Sequence, residues 1–392
     1  MEFTRRDFLK MAAGGVLTFS VFNPQLFAVP EENGNWDRVL VLIELRGGND
    51  GLNTLIPYQE KLYYSYRPRL AVPSKNVLKL TETVGFHPNL KALWEVWKAK
   101  ELAVVQGVGY PKPNRSHFRS IDIWETASNS DEYLEEGWIS RLFAKSSPPK
   151  DVPADGLILD TGDEGPLRGF QMRNIVLKDP KQFVREAMRL KQVAASSSNP
   201  ALRHLVKVQQ DILHAARALQ KKLTKAPALG VQFPKSGLAK QMEIAAKLLA
   251  GKTPAPVIKL SIGGFDTHSN QRGRHQKLLR DLAEAMAAFR LALKKIGKWR
   301  QVLVMTYSEF GRRVRENGSA GTDHGTAAPH FIMGGAVKGG LLGKYPPLDD
   351  LQNGDLKFQV DYRCMYTTVA KNWWKVSAQF MHPEKYPPLD VL

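Results

Sequence analysis

Aspartate, glutamate and histidine are concentrated directly after several apolar runs of this sequence, and these residue types bind divalent metals. Four of the nine histidines fall within 63 residues, at the ends of predicted strands. Carboxylate and imidazole ligands together suit ions such as zinc or manganese. The candidate metal ligands are Asp50, Asp266, His268, His275, Glu309, Asp323, His324 and His330.

Two of these residues have an alternative structural role. An aspartate directly after a strand, such as Asp50, is often a turn or helix-capping residue instead of a ligand. His275 opens a helical pattern, so its side chain either returns to the end of the sheet or packs against it. We assign no role to His204, His214 and His382, which lie outside these segments.

A second polar segment contains residue types suited to nucleophilic chemistry. Arg115, Ser116 and His117 follow an apolar run, and helical spacing begins at Ser116. Ser116 either caps that helix or acts as a nucleophile that is favoured by the positive end of the helix dipole. In the second case Arg115 would hold an oxyanion, and His117 would be a base or a metal ligand.

The elements that must position these residues are alternating strands and helices. Apolar runs at 39–45, 102–106, 257–262 and 302–307 predict buried strands, and 331–334 predicts an edge strand. Helical periods separate them, notably from Leu202 to Leu223 and from Leu278 to Leu293. This alternation predicts an α/β fold with a mostly parallel sheet flanked by helices. Ligands bind beyond the carboxyl ends of such strands, so the polar segments should meet at one edge of the sheet.

One segment departs from the alternation. Residues 146–235 contain several prolines, a Ser-Ser-Ser-Asn-Pro stretch and the first long helical period. We predict that they form a helical insertion or cap on a single domain spanning residues 31–392.

The N-terminus has the features of a twin-arginine export signal. Arg5 and Arg6 precede a short apolar stretch, Met11 to Phe22, which is shorter than the about 20 residues of a membrane span. We therefore predict a signal peptide over residues 1–30, recognition by the twin-arginine export machinery, and a periplasmic or extracellular location. No later apolar run is long enough for a stable membrane span.

The composition excludes some functions and leaves others open. A single cysteine rules out an intrachain disulfide, so the fold does not depend on an oxidising compartment. The net charge of +18 favours an anionic partner. Because the basic residues are dispersed and no nucleic-acid motif is present, we do not expect nucleic-acid binding.

The polar segments together resemble one family. Residues 45–54, Asn114–Phe118, Gly263–His268, Glu309–Arg312 and Gly321–Gly325 look like an uncharacterised bacterial family of twin-arginine-exported proteins, a domain of unknown function within the alkaline phosphatase/sulfatase-like superfamily. The resemblance covers essentially the whole chain after the signal. It implies an alkaline-phosphatase-like fold.

The superfamily pattern implies a site with one or two divalent metals. By the order of its motifs, Asp50 would be the first ligand, Ser116 the nucleophile, and Asp266 with His268 one ligand pair. Asp323 with His324 would form the other pair, followed by His330. Such a site would act on an anionic phosphate or sulfate ester.

This sequence departs from the superfamily pattern at three places. Asp266 and His268 are closer together than usual, which leaves His275 as an alternative partner. Glu309 takes the place directly after its strand, so either Glu309 or Asp323 would be the ligand. The segment around Ser116 lacks the Cys-x-Pro-x-Arg signature, which argues against a type I sulfatase.

Two functions follow from the sequence. The first is a metal-dependent hydrolase of phosphate or sulfate esters, which acts through Ser116 or a metal-activated water. The alternative is a non-catalytic binding or assembly protein for an extracellular polymer on the same fold. The sequence leaves the substrate and the oligomeric state open.

Overall fold

The computed structural model describes residues 34–159, 162–170, 172–177, 227–251 and 255–392, together with scattered positions between 184 and 221. The predicted signal peptide and most of the predicted helix from Leu202 to Leu223 lie outside the described residues.

The strands alternate with helices along the chain. In chain order the strands are β1 (Val39–Arg46), β2 (Leu55–Ile56), β3 (Leu78–Lys79), β4 (Gly85–Phe86), β5 (Leu102–Gly109), β6 (Gly156–Ile158), β7 (Asn174–Val176), β8 (Val257–Gly263), β9 (Val302–Tyr307), β10 (Ala328–Gly334), β11 (Gly340–Leu342), β12 (Leu351–Gln352), β13 (Asp355–Leu356) and β14 (Val360–Asp361). The α-helices are α1 (Lys61–Tyr66), α2 (Trp94–Lys98), α3 (His117–Thr126), α4 (Trp138–Phe143), α5 (Gly237–Leu249), α6 (Gln271–Lys295) and α7 (Tyr362–Thr367), which a π-helical segment, Thr368–Trp374, continues.

Nine of the described strands form one mostly parallel sheet. Their order is β11-β5-β10-β9-β1-β8-β6-β7, and β14 also pairs with β5. Only β10 runs against its neighbours, antiparallel to both β5 and β9. The predicted α/β class with a mostly parallel sheet is confirmed. The prediction of an edge strand at 331–334 is wrong, because β10 lies inside the sheet and all of its residues are buried.

The central strand β1 shows why its sequence is a nearly continuous apolar run. Val41 and Ile43 belong to one hydrophobic core and Leu40 and Leu42 to another, so both faces of the sheet are covered. The first core contains the inner face of α6 and the second contains α3 and α4. Each fully buried aliphatic side chain contributes roughly 1.5–3 kcal/mol to folding.

Part of the segment predicted as an insertion belongs to the sheet itself. β6 pairs in parallel with β8, and β7 pairs in parallel with β6. The remainder of residues 146–235 is described only in part.

His330, one of the candidate ligands, lies in the interior of β10. Its side chain is 1% exposed, and its ring lies 5.1 Å from the ring of Trp124. Its Nδ1 is 3.4 Å from the hydroxyl of Thr306. Burial lowers the pKa of His330 to about 3, so the folded protein holds this ring in the neutral state.

We expect His330 to make stability depend on pH. An unfolded histidine has a pKa of about 6.5, so the unfolded chain binds one more proton at this residue between pH 6.5 and 3. Stability therefore falls as the pH drops through this range. Between pH 7 and pH 5, the free energy of unfolding should fall by about 2 kcal/mol less in His330→Phe than in the wild type.

Urea unfolding at pH 7, 6 and 5 measures this difference in slope. The matched control is His382→Phe, because the side chain of His382 is 68% exposed and should leave the slope unchanged. Identical slopes for wild type and His330→Phe would contradict the assignment of His330 as a buried neutral residue.

Candidate metal centre

The loops that follow β5, β8 and β9 meet at the carboxyl edge of the sheet, as the sequence predicts. The N–H of Phe265, after β8, donates to the carbonyl of Arg46 at the end of β1 at 3.0 Å. The ring of His324 lies 2.8 Å from the carbonyl of Arg115, which follows β5. Segments that are far apart in the chain therefore contribute to one site.

The buried guanidinium of Arg312 fastens these loops together. It donates to the loops after β1 and β8, to the loop before β10, and to the carboxylate of Asp266 at 2.6 Å. Arg312 is 2% exposed, so these hydrogen bonds form away from solvent. Its carbonyl acceptors are those of Gly47, Gly48, Phe265 and Thr322.

Two glycines allow the loop after β1 to lie close to the loops after β8 and β9. Gly47 and Gly48 have φ angles of +113° and +79°, a region that other residues rarely adopt. A Cβ atom on Gly47 would lie 2.3 Å from the amide nitrogen of Asp266, and one on Gly48 would lie 2.5 Å from the ring of Phe310. The Gly-Gly pair therefore fixes the distance between the loops after β1 and β8.

Asp266 is the centre of the polar cluster at this edge. Its Oδ1 lies 2.8 Å from Nδ1 of His268 and 3.3 Å from Nε2 of His324. Its Oδ2 lies 3.6 Å from Nε2 of His117. His117, Asp266 and His324 each offer a ligand atom, and these atoms lie within 4.8 Å of one another.

The second nitrogen of two of these histidines is held by an acceptor. Nδ1 of His117 lies 2.8 Å from Oε1 of Glu309, and Nδ1 of His324 lies 2.8 Å from the carbonyl of Arg115. A carbonyl can only accept, so Nδ1 of His324 carries the hydrogen. In its neutral form His324 therefore turns the lone pair of Nε2 towards the carboxylate of Asp266.

The pKa shifts agree with this arrangement. Burial would raise the pKa of Asp266, but the hydrogen bond and charge of Arg312 outweigh it, and the pKa lies below its usual value. Burial is the largest cause of the lowered pKa of His324. The hydrogen bond to Glu309 raises the pKa of His117. At neutral pH an ionised carboxylate therefore faces a neutral imidazole.

Glu309 supports the cluster from behind. It is 5% exposed, and its Oε1 accepts both from Nδ1 of His117 and from the N–H of Gly47 at 2.8 Å. Its Oε2 accepts from the hydroxyl of Ser308 at 3.1 Å. Glu309 thus orients a candidate ligand in the manner of the carboxylates that hydrogen-bond to metal-binding histidines.

The loop before β10 returns His324 to the cluster by a short backbone pairing. Arg312 and His324 form an antiparallel bridge, and the N–H of Arg313 donates to the carbonyl of Asp323 at 3.0 Å. The side chain of Asp323 is exposed and accepts from Asn317 at 3.0 Å. Of the Asp323–His324 pair, only His324 is brought to Asp266.

Asp50 is not part of this cluster. It is 1% exposed, and its two oxygens lie 2.8 and 2.6 Å from Nη1 of Arg67. The side-chain amide of Gln271 also donates to it. Burial would raise its pKa, but the charge of Arg67 and the other interactions lower it. Asp50 is therefore one half of a buried ion pair.

His275 and His330 also lie away from the cluster. Nε2 of His275 is 2.9 Å from the amide oxygen of Asn49, its ring packs against Phe265, and burial lowers its pKa to about 4. His330 is enclosed in β10, as described above. The structure thus brings together Asp266, His268, His324, His117 and Glu309, and leaves Asp50, His275, His330 and the side chain of Asp323 outside.

Ser116 occupies the N-cap position of α3 but does not cap it. Its hydroxyl makes no capping hydrogen bond, and its own N–H donates to the side chain of Asn114 at 2.8 Å. Ser116 is exposed. The guanidinium of Arg115 is bonded to the buried carboxylate of Asp355, so it is already partly neutralised.

A second cluster of acidic side chains includes Glu125 of α3. Glu44, Glu125 and Asp163 have oxygens close to one another, but Nζ of Lys259 lies 3.0 Å from Glu44, and Arg46 lies 3.0 Å from the same carboxylate. Burial raises the pKa of Glu125 well above its usual value. Lys259 and Arg46 counter the negative charge of this group, and the raised pKa of Glu125 disfavours its charged form.

Sequence reasoning missed two arginines that shape the site. Arg312 was visible only as the last residue of the Glu-Phe-Gly-Arg motif, and no spacing rule linked it to the loops after β1 and β8. Arg67 lies in an aromatic segment with no other signal for its pairing with Asp50.

Comparisons with known proteins identify a family and weak structural similarity. The model of the family described as "Protein of unknown function (DUF1501)" matches residues 104–379. Eight solved structures with detectable similarity have identities of 9–12% and TM-scores below 0.5. They include the C-terminal periplasmic domain of EcEptC from Escherichia coli in complex with Zn (11% identity, 80% of this chain and 77% of that chain, TM-score 0.39), the lipoteichoic acid synthase LtaP from Listeria monocytogenes (10%, 92% and 76%, 0.37) and a protein in the alkaline phosphatase superfamily from Vibrio parahaemolyticus (10%, 96% and 76%, 0.35).

No curated protein matches this sequence significantly. Within the part of the chain that the structure describes, no helix has the length and apolar character needed to cross a bilayer.

The ion pair of Asp50 and Arg67 gives a testable structural role. Arg67→Met leaves the carboxylate of Asp50 buried without a partner and should lower the free energy of unfolding by about 3–5 kcal/mol. The double variant Asp50→Asn/Arg67→Met should be about 2 kcal/mol more stable than Arg67→Met alone.

Denaturant unfolding measures both changes. Arg280→Met is the matched control, because Arg280 is exposed on α6 and its loss should cost no more than about 1 kcal/mol. If Asp50→Asn gave no recovery in the Arg67→Met background, the carboxylate would have a different role.

Proposed function

Because the chain belongs to the DUF1501 family, whose function is unknown, we propose a function from its own site. The protein is an exported, metal-dependent hydrolase of phosphate or sulfate esters. The metal ligands are His117, Asp266 and His324, with His268 as the nearest additional donor.

One observation carries this proposal. The hydrogen on Nδ1 of His324 is fixed by the carbonyl of Arg115, so its Nε2 faces Oδ1 of Asp266 at 3.3 Å with a lone pair. Nε2 of His117 faces the other oxygen of the same carboxylate at 3.6 Å. Nε2 of neutral His324 and Oδ1 of Asp266 are both hydrogen-bond acceptors, and they repel one another unless a proton or a metal cation lies between them. Two imidazoles and a carboxylate are also a ligand set that zinc commonly takes in catalytic sites.

We propose one metal instead of two. The residues that a second metal would need, Asp50, His275 and His330, are engaged elsewhere, and Arg67 supplies the positive charge beside Asp50. Manganese is the alternative ion, because the donor set mixes nitrogen and oxygen.

The roles of the surrounding residues follow from their contacts. A bound divalent metal would polarise the ester oxygens and stabilise the charge that develops on them. Glu309 and the carbonyl of Arg115 hold the hydrogens on the outer nitrogens of His117 and His324. Arg312 keeps Asp266 ionised. Ser116 directly precedes His117 at the N-terminus of α3, where the helix dipole favours an anionic substrate.

Metal analysis tests the ligand assignment. The mature protein, purified without chelators or a histidine tag, should contain about one equivalent of zinc or manganese. His324→Ala and Asp266→Asn should lose it. Glu309→Gln should retain it with affinity reduced by about tenfold, because it only orients His117.

The control for the metal measurement is His382→Ala, since this exposed histidine lies outside the cluster. Elemental analysis and metal titration give the stoichiometry and the affinity. A wild-type protein that binds no metal after reconstitution would refute the assignment.

The reaction is tested on aryl phosphate, phosphodiester and sulfate substrates with added zinc or manganese. Turnover should disappear in Asp266→Asn. Ser116→Ala should abolish turnover with metal binding intact if the serine is the nucleophile, and should leave it largely unchanged if a metal-activated water attacks. Metal binding without turnover of any ester would favour the non-catalytic binding protein.

Export by the twin-arginine route is part of the proposal. Replacing Arg5 and Arg6 with lysine preserves the charge but removes the guanidinium pair that defines this signal type. We expect the variant to accumulate in the cytoplasm as precursor, whereas the wild type is found beyond the inner membrane. Cell fractionation with immunodetection measures the distribution, and unchanged export would indicate another route.

A further inference from the structure

A groove of about 470 Å³ adjoins the candidate metal centre. This volume lies within the range of roughly 300–1,000 Å³ that is typical of small-molecule sites. One wall is the segment from Tyr110 to Arg115, after β5. The other is the hairpin of β12 and β13 with Phe358 beyond it.

Two residues that line the groove also contact the metal centre. Phe310 lines the groove, and its ring lies 4.9 Å from the ring of His117 and 4.6 Å from that of His324. Arg115 also lines the groove, and its carbonyl holds His324. A substrate whose ester group sits at the histidines would therefore extend the rest of its structure into this groove.

The walls of the groove are preorganised. Pro111 and Pro113 restrict the backbone of one wall. The hairpin turn of the other wall is Asn353-Gly354, with φ angles of +53° and +80°, as a tight Asn-Gly turn requires. A preformed groove binds its ligand without the entropic cost of ordering loops.

The lining side chains combine an aromatic surface with carboxamides. Phe358 is 37% exposed, whereas the other rings of the lining, those of Tyr110 and Phe310, are buried. The carboxamides of Gln352 and Asn353 are exposed at the rim, and each both donates and accepts. Among the described residues that line the groove, none is acidic, so an anionic ester meets no like charge there.

We propose that the groove binds the alcohol part of the ester and that this alcohol is a sugar. A pyranose ring has an apolar face of C–H groups for one aromatic ring, and hydroxyls around its edge that match carboxamides. A nucleobase fits less well, because only one ring is available for stacking. This inference rests on the proposed function and gives its substrate class as sugar phosphates or sugar sulfates.

Binding of sugars without an ester group tests the groove independently of catalysis. Saturation-transfer NMR on the wild-type protein with glucose, N-acetylglucosamine and uridine should show transfer to the ring hydrogens of at least one sugar. Phe358→Ala should weaken this binding at least tenfold. Asn353→Gly, which keeps the turn conformation and removes the carboxamide, should weaken it severalfold.

Phe170→Ala is the matched control, since Phe170 is 66% exposed and lies outside the groove. Absence of transfer to both sugars, preference for uridine, or sugar binding that survives Phe358→Ala would each overturn the inference. If aryl esters are turned over but sugars do not bind, only the sugar assignment fails. If sugars bind through Phe358 but no ester is hydrolysed, the groove assignment stands and the hydrolase proposal fails.

Discussion

The hydrogen bonds of Arg312 are the interaction on which the candidate site depends. Its guanidinium donates hydrogen bonds to carbonyls in the loops after β1 and β8 and in the loop before β10. It also donates to the carboxylate of Asp266. Without it, carbonyls in three loops would lose a hydrogen bond, and each one left buried without another partner would cost about 1–3 kcal/mol. The same contact keeps Asp266 ionised, so the geometry of the loops and the charge of the candidate ligand have a common origin.

Charge balance explains why the acidic and histidine residues separate into different environments. Asp50 lies in a fully buried position, where only a paired carboxylate is tolerable, and Arg67 satisfies it. Burial is the largest cause of the lowered pKa of both His275 and His330, so these rings stay uncharged. Asp266 and His324 are partly exposed and face one another with incompletely matched hydrogen-bonding groups. Of these three environments, only the last is open to solvent and holds two facing acceptor atoms that a metal cation between them would stabilise.

The sequence predicts the framework better than the partners within it. Nearly continuous apolar runs such as Val39–Leu45 mark strands buried on both faces, and parallel strands bring the following loops to one edge regardless of sequence distance. The pairing of side chains at that edge depends on contacts between distant segments, and residue spacing in the sequence does not predict these contacts. Asp50 follows its strand, as a metal ligand would, but its carboxylate is paired with Arg67. His324 is positioned in the cluster by a backbone bridge to Arg312, and no local sequence pattern predicts that bridge.

The position of the groove connects the two parts of the proposed site. His324 is held by the backbone of Arg115, whose side chain is fixed by the buried Asp355 in the hairpin that forms the far wall. The orientation of a candidate ligand is therefore tied to the wall that would hold the alcohol part of a substrate. In such an arrangement, binding energy from the non-reacting part of a substrate can position the reacting group at the histidines. A small ester that does not reach the hairpin would forgo that contribution.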